Sequence, residues 1–516
     1  MKPQVLSKMG RRTVEPPISW LMHAALSRPK LISLAAGFTD SASLPVAEAR
    51  AALNRVLRSP KTGRPALQYG STAGDPALRK LTAEYLRKLD EVVATPSSQT
   101  GRRGVAATYS PERLLITSGS QQLLYLTTEA LCDEGDIVLV EDPTYFVFLG
   151  ILQSRGLRAR GVRLERDGLD LAHLESVLQS LERSGELRRV KMIYLVSYFQ
   201  NPTGVTTSFQ KKRGLLKLLK KFERAAGHPI YLLEDAAYRE LRFQKDNQVQ
   251  SSVSTPSPRP SGERAGARGC EFENHWTPHP APLLDWRGEG EVKYALAVPG
   301  AADRVIYAGT FTKPFATGAR VGYGVLPEPV FSAVKHIKGN HDFGTANLLQ
   351  QLFVRALASG IYGRQVARLQ KRYAHKARVM KRAIKKHFPS AVEWWEPEGG
   401  MYFWARLPRN VPTGVKSKVF QTALKNDVLY VPGEICYADD PARRKPNHEM
   451  RISFGNASEA DIREGIKRLG AVLRKLPEIA RSGRAPVRLE TSKDDKLLNI
   501  QRRNKIWSGL DVAKSR

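Results

Sequence analysis

The chain has 516 residues, of which 41% are hydrophobic and 26% are charged, so it is long enough to build two or three domains around buried cores. Its 82 Lys and Arg residues against 50 Asp and Glu give a formal net charge of +32, which raises the question of a polyanionic partner. Apolar runs of signal-peptide or membrane-spanning length are missing, and the cysteines at 132, 270 and 436 are too dispersed for a metal cluster or a disulfide framework. We therefore expect a cytoplasmic protein without a membrane partner or a metal.

From about residue 114, short apolar runs alternate with segments of helical periodicity, which is typical of a mainly parallel sheet covered by helices. The apolar runs are nearly continuous, as expected for strands that are buried on both faces. Strands are predicted at 136–140, 192–196, 230–233, 305–308 and 321–325. Helices are predicted at about 120–133, 145–155, 171–184 and 208–226.

The pattern changes at two places. Residues 244–292 are rich in Ser, Pro, Gly and Arg, a composition that cannot pack a core and predicts a disordered insertion. Beyond about residue 328, long helices precede short strands and a last helix, which predicts a smaller α+β domain. The expected units are an N-terminal segment (1–45) that joins the small domain, a large domain (46–328) with the insertion, the small domain (329–476) and a basic tail (477–516).

The excess positive charge lies mainly in three runs. Residues 361–388 contain ten Lys and Arg and no acid, and apolar residues recur among them at helical spacing, which predicts one long amphipathic helix with a solvated basic face. Residues 211–224 repeat that pattern, and the tail is basic without periodicity. No groove-reading motif accompanies these runs, so nonspecific nucleic-acid binding by the basic surface is not expected to be the function.

Short polar segments follow several of the predicted strands, and strand ends in open α/β sheets converge on one ligand site. Ser120 and Gln121, in Thr-Ser-Gly-Ser-Gln-Gln, open a helix whose backbone amides suit an anion, although helix capping explains the same pattern. Tyr145, in Asp-Pro-Thr-Tyr, opens the next helix. Its ring could stack on an aromatic cofactor or pack in the core.

The later strand ends carry further candidates. Asn201, in Asn-Pro-Thr-Gly, is by itself an ordinary turn residue. Asp235 is either a turn aspartate or a buried carboxylate that needs a cation, such as a protonated pyridine nitrogen, and Tyr238 follows it. Lys313 follows an apolar strand among hydroxyls, with Arg320 seven residues on. This arrangement suits a Schiff-base nucleophile beside a phosphate site, whereas the lysine alone would suggest a surface turn.

In this order the motifs resemble those of the class I and II aminotransferases, which are fold-type I pyridoxal phosphate-dependent enzymes. The resemblance covers roughly residues 30–243 and 293–475. The seven-residue spacing from Lys313 to Arg320 resembles the subgroup that contains aminoadipate, kynurenine, aromatic and branched-chain aminotransferases. It implies an α/β fold, with a mainly parallel seven-stranded-type sheet sandwiched by helices and a smaller α+β domain, and pyridoxal 5'-phosphate as cofactor.

By this resemblance, Lys313 is the catalytic lysine that forms a Schiff base with the cofactor, and Asp235 keeps the pyridine nitrogen protonated. Asn201 and Tyr238 would hydrogen-bond the ring oxygen, and Tyr145 would stack on the ring.

The resemblance also assigns the phosphate site. Ser120, Gln121, Thr310 and Arg320 would bind the phosphate, and Tyr69 would reach it from the neighbouring subunit. Shared sites of this kind imply a homodimer with two-fold symmetry.

For the substrate, Arg451 would grip the α-carboxylate, with Gly37 and Asn201 beside it. The implied reaction moves an amino group from an L-amino acid to a 2-oxo acid, with 2-oxoglutarate favoured, by a ping-pong mechanism. Residues 35–40 resemble the substrate-covering strand of the family but lack its usual Gly-Gly-Leu-Pro form. Thr310 and Thr312 stand where serines are usual, and a proline follows the lysine.

Two other functions stay open at this point. A lyase or decarboxylase could use the same fold and cofactor. A transcriptional regulator with an aminotransferase-like sensor domain would carry a helix-turn-helix domain ahead of the fold. Only about 30 residues precede the resemblance here, which is too few for that domain.

Overall fold

The computed structural model describes residues 5–91, 109–243 and 294–481. The predicted insertion at 244–292 lies outside the described residues, as does the tail beyond residue 481. Within these ranges, no helix combines the length and the apolar character that crossing a membrane requires.

The central sheet has eight strands and is mainly parallel, as the sequence predicts. In spatial order the strands are β2 (Leu114–Thr117), β9 (Gly322–Val325), β8 (Val305–Thr310), β7 (Tyr231–Asp235), β6 (Val190–Val196), β3 (Ile137–Asp142), β4 (Arg158–Glu165) and β5 (Gly168–Leu169). Strands β8, β7, β6, β3 and β4 are parallel neighbours, whereas β2, β9 and β5 run antiparallel to the strands they pair with. Every residue of β2, β7, β8 and β9 is buried, because helices cover both faces.

The register of the parallel strands determines where their ends meet. Val196 at the end of β6 pairs with Asp235 at the end of β7, and Asp235 pairs with Ala308 in β8. The carboxyl ends of these three strands therefore form one edge of the sheet, where α/β proteins bind their ligands.

The four helices predicted between residues 120 and 226 are present, as are the long helix over the basic run at 361–388 and the last helix of the small domain, whereas the five described helices before residue 92 were not predicted. Several begin at polar caps: the Asp170 side chain accepts from the His173 amide, and Ser458 forms a capping box with Asp461. In chain order the helices are α1 (Lys8–Arg12), α2 (Pro17–Leu26), α3 (Val46–Val56), α4 (Pro60–Leu67), α5 (Pro76–Glu91), α6 (Ser120–Leu131), α7 (Phe146–Arg155), α8 (Leu171–Arg183), α9 (Phe209–Ala226), α10 (Val330–Asp342), α11 (Asn347–Ala358), α12 (Ile361–His387), α13 (Lys418–Lys425), α14 (Glu459–Arg474) and α15 (Pro477–Arg481).

A second, antiparallel sheet lies in the C-terminal part of the chain. Its spatial order is β10 (Glu393–Trp395), β11 (Tyr402–Arg406), β14 (Glu449–Ser453) and β13 (Val431–Pro432). Near it, β1 (Ile32–Ser33) pairs in parallel with β12 (Val428–Leu429), and the Ser453 amide donates to the Leu34 carbonyl at 2.7 Å. The N-terminal segment thus packs on the C-terminal elements, while the domain boundaries given above stay predictions.

Two lysines of the basic runs are buried, which corrects the interpretation of those runs as wholly solvated faces. Lys376 Nζ in α12 lies 2.9 Å from Asp40 Oδ1, and Lys212 Nζ in α9 lies 2.9 Å from Glu234 Oε1. The prediction was wrong for these two residues because helical spacing shows which face of the helix a lysine is on. It does not show whether a carboxylate of another element packs against that face. The pairing offsets the large cost of burying each charge.

Candidate active site

Lys313 lies just beyond the end of β8, at the edge where the parallel strands end. Its partly buried side chain donates a hydrogen bond from Nζ to the Gly37 carbonyl at 2.7 Å. Removal from water, together with the positive charges of Arg320 and Arg451, lowers the pKa of Lys313 to about 8, against the opposing effect of Asp235. Near that pH much of the amine is neutral, which is the form that attacks a carbonyl carbon.

Asp235 ends β7 and is buried. Its Oδ2 accepts from the Tyr194 hydroxyl and its Oδ1 from the Ala237 amide, each at 3.0 Å. Burial raises the pKa of Asp235 to about 6, although these hydrogen bonds and Lys313 oppose the rise. The carboxylate is therefore ionised at neutral pH and can hold a cationic N–H group.

An anion-binding end forms where α6 begins. Its N-cap is Gly119, which has a φ of +77° and no capping side chain, so the first amides of the helix are free of a side-chain cap. A Cβ on Gly119 would lie 2.8 Å from Arg320 Nη2, and one on Gly322 would lie 2.5 Å from the Ser120 nitrogen. The two glycines thus allow a guanidinium and a helix N-terminus to approach each other, which suits a phosphate group.

A chain of buried polar contacts connects the other candidates. Arg451 donates from Nη1 to Asn201 Oδ1 at 2.7 Å and from Nη2 to the Ala35 carbonyl at 2.6 Å. Asn201 Nδ2 lies 3.3 Å from the Tyr238 hydroxyl, which lies 3.1 Å from the Tyr402 hydroxyl. Among the described residues, the buried Nε of Arg451 has no hydrogen-bond partner, so it is available to an additional acceptor.

The structure brings most of the predicted site residues together around one cavity. It is lined by Ser120, Gln121, Tyr145, Asp235, Tyr238, Thr310, Lys313 and Arg320. Asn201, Arg451 and Gly37 join this group through the hydrogen bonds described above. A larger groove between β4 and β10 contains none of these residues.

Tyr69 is the predicted residue that lies apart. Its side chain is 83% exposed, and its ring packs edge-to-face on Phe343 at 5.4 Å between ring centres. No contact within the described chain places it in the cavity.

Sequence reasoning missed two tyrosines of the site. Tyr194 lies inside the apolar strand β6, and Tyr402 lies in the aromatic run of β11. Neither has a local signal, because the partner of each hydroxyl is distant in the sequence: Tyr194 bonds to Asp235, and Tyr402 bonds to Tyr238.

Comparisons with known proteins identify the family. Residues 29–469 match the model of aminotransferase class I and II. The chain belongs to this family. It is 30% identical to aromatic-amino-acid aminotransferase 1 of Thermococcus litoralis, over 86% of this chain and 88% of the relative, and 29% identical to 2-aminoadipate transaminase of Thermus thermophilus, over 87% and 91%.

A solved structure agrees in fold. The kynurenine aminotransferase of Pyrococcus horikoshii superposes with a TM-score of 0.72 at 28% identity, covering 93% of this chain and 98% of that one. The protein is therefore a pyridoxal phosphate-dependent aminotransferase of fold type I, as the resemblance implies.

The residues present fit this cofactor. Its phosphate matches the anion-binding end formed by Arg320 and the start of α6, and its ring nitrogen matches the buried carboxylate of Asp235. Lys313 lines the same cavity, and its amine would bind the cofactor's carbonyl carbon.

Proposed function

We propose that the protein is a cytoplasmic enzyme that transfers the amino group of an aromatic or acidic L-amino acid to 2-oxoglutarate by a ping-pong mechanism. The observation that carries the proposal is the joint placement of Lys313, Asp235 and Arg320 around one cavity, with Arg451 hydrogen-bonded beside it. The named activities of the relatives, on aromatic amino acids, 2-aminoadipate and kynurenine, support this choice of donor.

Each residue has a distinct task in this proposal. When bound, the cofactor ring accepts the electron pair left at Cα. Asp235 keeps the ring a good electron acceptor by holding the proton on the ring nitrogen. Lys313 Nζ accepts the Cα proton of the substrate and then donates a proton to the cofactor carbon that bears the amino nitrogen. The lowered pKa of Lys313 allows both transfers near neutral pH. Asn201 and Tyr238 hydrogen-bond the ring oxygen, and Tyr145 packs against the ring.

The remaining tasks are binding tasks. Ser120, Gln121, Thr310 and Arg320 hold the phosphate. Arg451 binds the substrate carboxylate, and its free Nε can contribute to a two-pronged contact. Asn201 is hydrogen-bonded to this arginine and Gly37 to Lys313, so both border the substrate.

The direct test follows the absorption spectrum of the cofactor-loaded enzyme after single amino acids are added without any oxo acid. We expect phenylalanine, glutamate, 2-aminoadipate or kynurenine to convert the lysine-bound cofactor to its pyridoxamine form, and 2-oxoglutarate to reverse the change. The D-enantiomers are the matched controls, and they should leave the spectrum unchanged. A spectrum that stays constant while ammonia or carbon dioxide is released would instead show a lyase or a decarboxylase.

We also propose a homodimer in which Tyr69 of one subunit contacts the phosphate bound by the other. Tyr69 lies with two other exposed apolar side chains, Leu67 at 69% and Phe343 at 53%, and such exposed groups mark interaction surfaces. A tyrosine hydroxyl that is exposed and lies outside the cavity makes no contact with the described residues through which it would affect the site of its own chain.

Tyr69→Phe is therefore expected to weaken pyridoxal phosphate binding about tenfold, the loss of one hydrogen bond to a charged group. Equilibrium reconstitution measures the affinity, and Tyr125→Phe, which removes a hydroxyl near Met9, is the control. Sedimentation should give twice the chain mass of 57.5 kDa. A monomer with unchanged affinity in the variant would contradict the shared site.

A further inference from the structure

Tyr402 lies behind the cavity and contacts two of its functional residues. It belongs to β11 of the second sheet and is buried, with 1% of its surface exposed. Its hydroxyl lies 3.1 Å from the Tyr238 hydroxyl, and the Arg451 guanidinium carbon lies 4.4 Å from its ring centre. A Cβ on Gly37 would lie 2.9 Å from this hydroxyl, so the glycine leaves room for it.

The direction of each hydrogen bond in this chain can be worked out from Arg451. A guanidinium only donates, so the Asn201 atom facing Arg451 is the amide oxygen, and the amide nitrogen faces Tyr238. The Tyr238 oxygen therefore accepts from Asn201. It retains one lone pair and its own proton.

The direction of the Tyr238 proton depends on the Tyr402 hydroxyl. Among the described residues, this hydroxyl forms its hydrogen bond with Tyr238. If Tyr402 accepted the bond, the Tyr238 proton would point away from the cavity toward β11. If Tyr402 donates it, the proton of Tyr238 is free to point into the cavity, which Tyr238 lines.

We propose that Tyr402 is a positioning residue whose hydroxyl donates to the Tyr238 oxygen and so directs the Tyr238 O–H group onto the ring oxygen of the cofactor. The inference rests on the proposed contact between Tyr238 and that ring oxygen. It adds to the site a residue of β11, in the second sheet, which influences the pKa of the bound cofactor through Tyr238.

The bond has a measurable consequence. A hydrogen bond donated to the cofactor's ring oxygen favours its negative form, and therefore lowers the pKa of the Lys313-bound cofactor. Donation by Tyr402 makes Tyr238 a stronger donor, because successive hydrogen bonds polarise one another. Losing the Tyr402 hydroxyl should therefore raise this pKa.

Other groups also face this site, and they remain in place when the Tyr402 hydroxyl is removed. Those that face Lys313 are Asp235 at the end of β7, Arg320 beyond β8 and Arg451 in β14. Tyr145 and Arg451 face Tyr238 as well. A change in the pKa of the bound cofactor after the Tyr402 hydroxyl is removed is then attributable to that hydroxyl.

Tyr402→Phe tests the proposal, because it removes the hydroxyl and keeps the ring on which Arg451 stacks. We expect the pH midpoint of the bound cofactor's absorbance to rise by about 0.2 to 0.5 units, with KM for the amino acid changed less than about twofold. Tyr430→Phe is the matched control, since this buried tyrosine donates to the Thr413 carbonyl at 2.8 Å and should leave the midpoint unchanged.

A double-mutant cycle shows whether the effect passes through Tyr238. Tyr238→Phe should raise the midpoint by itself, and adding Tyr402→Phe to it should raise the midpoint no further. An unchanged midpoint in Tyr402→Phe, or an equal rise in both backgrounds, overturns the inference alone. An unchanged midpoint in Tyr238→Phe overturns the proposed role of Tyr238, and the inference with it.

Discussion

Lys313→Ala is expected to lower turnover by about 10⁴-fold or more, since it removes both the amine that binds the cofactor and the base that moves the Cα proton. The anion-binding end and Asp235 stay intact in this variant, so some pyridoxal phosphate should remain bound. Single-turnover conversion of the amino acid, followed by absorbance, measures the loss. Retained cofactor would show that the site is still folded.

Two further variants sharpen this result. Lys313→Arg keeps the positive charge but cannot supply a neutral amine near pH 8, so we expect it to be as inactive as the alanine variant. Lys371→Ala removes an exposed lysine of α12 and should leave turnover unchanged. Turnover within tenfold of the unmodified protein in either Lys313 variant would show that another group is the base.

The convergence of the site could be predicted from the sequence because it depends on strand order. Asp235 ends a parallel strand, and Asn201 and Lys313 each follow one. The carboxyl ends of neighbouring parallel strands lie together, regardless of the length and structure of the segments that connect the strands. The apolar runs that mark those strands are long and uninterrupted. Their positions in the sequence therefore fixed the positions of the polar residues that follow them.

What could not be predicted depends on contacts between distant segments. Tyr402 meets Tyr238 across 164 positions, and Lys376 meets Asp40 across 336 positions. A tyrosine within an apolar strand has the same local pattern whether its hydroxyl is bonded or not. Likewise, a lysine on a helix has the same spacing whether it faces water or a buried carboxylate.

Asp235→Asn is the second substitution with a large expected effect, a loss of about 10² to 10³-fold in turnover. An asparagine can accept from the Ala237 amide through its oxygen while its NH2 group donates to the Tyr194 hydroxyl, but it carries no negative charge to hold a proton on the cofactor's ring nitrogen. Turnover at saturating cofactor and amino acid measures the loss. Asp303→Asn, at an exposed aspartate before β8, is the control and should have no effect.

The same carboxylate predicts a pH dependence whose sign follows from its burial. The pKa of Asp235 is raised to about 6, so the cofactor-free protein carries the charge above that pH and loses it below. Affinity for pyridoxal phosphate should fall more steeply as the pH drops through 6 in the unmodified protein than in Asp235→Asn, because protonation of Lys313 lowers the affinity of both proteins but the loss of the Asp235 charge affects only the first. Equilibrium binding between pH 5 and 8, in both proteins, measures the difference.

Stability should respond in the opposite direction from activity. A carboxyl whose pKa is higher in the folded chain than in the unfolded chain disfavours folding where it is ionised, which for Asp235 means neutral pH. Asp235→Asn removes that charge, so the cofactor-free variant should melt at the same temperature as the unmodified protein or higher, while it turns over far more slowly. A lower melting temperature would show that the Asp235 charge supports the fold, and the loss of turnover would then have a structural explanation.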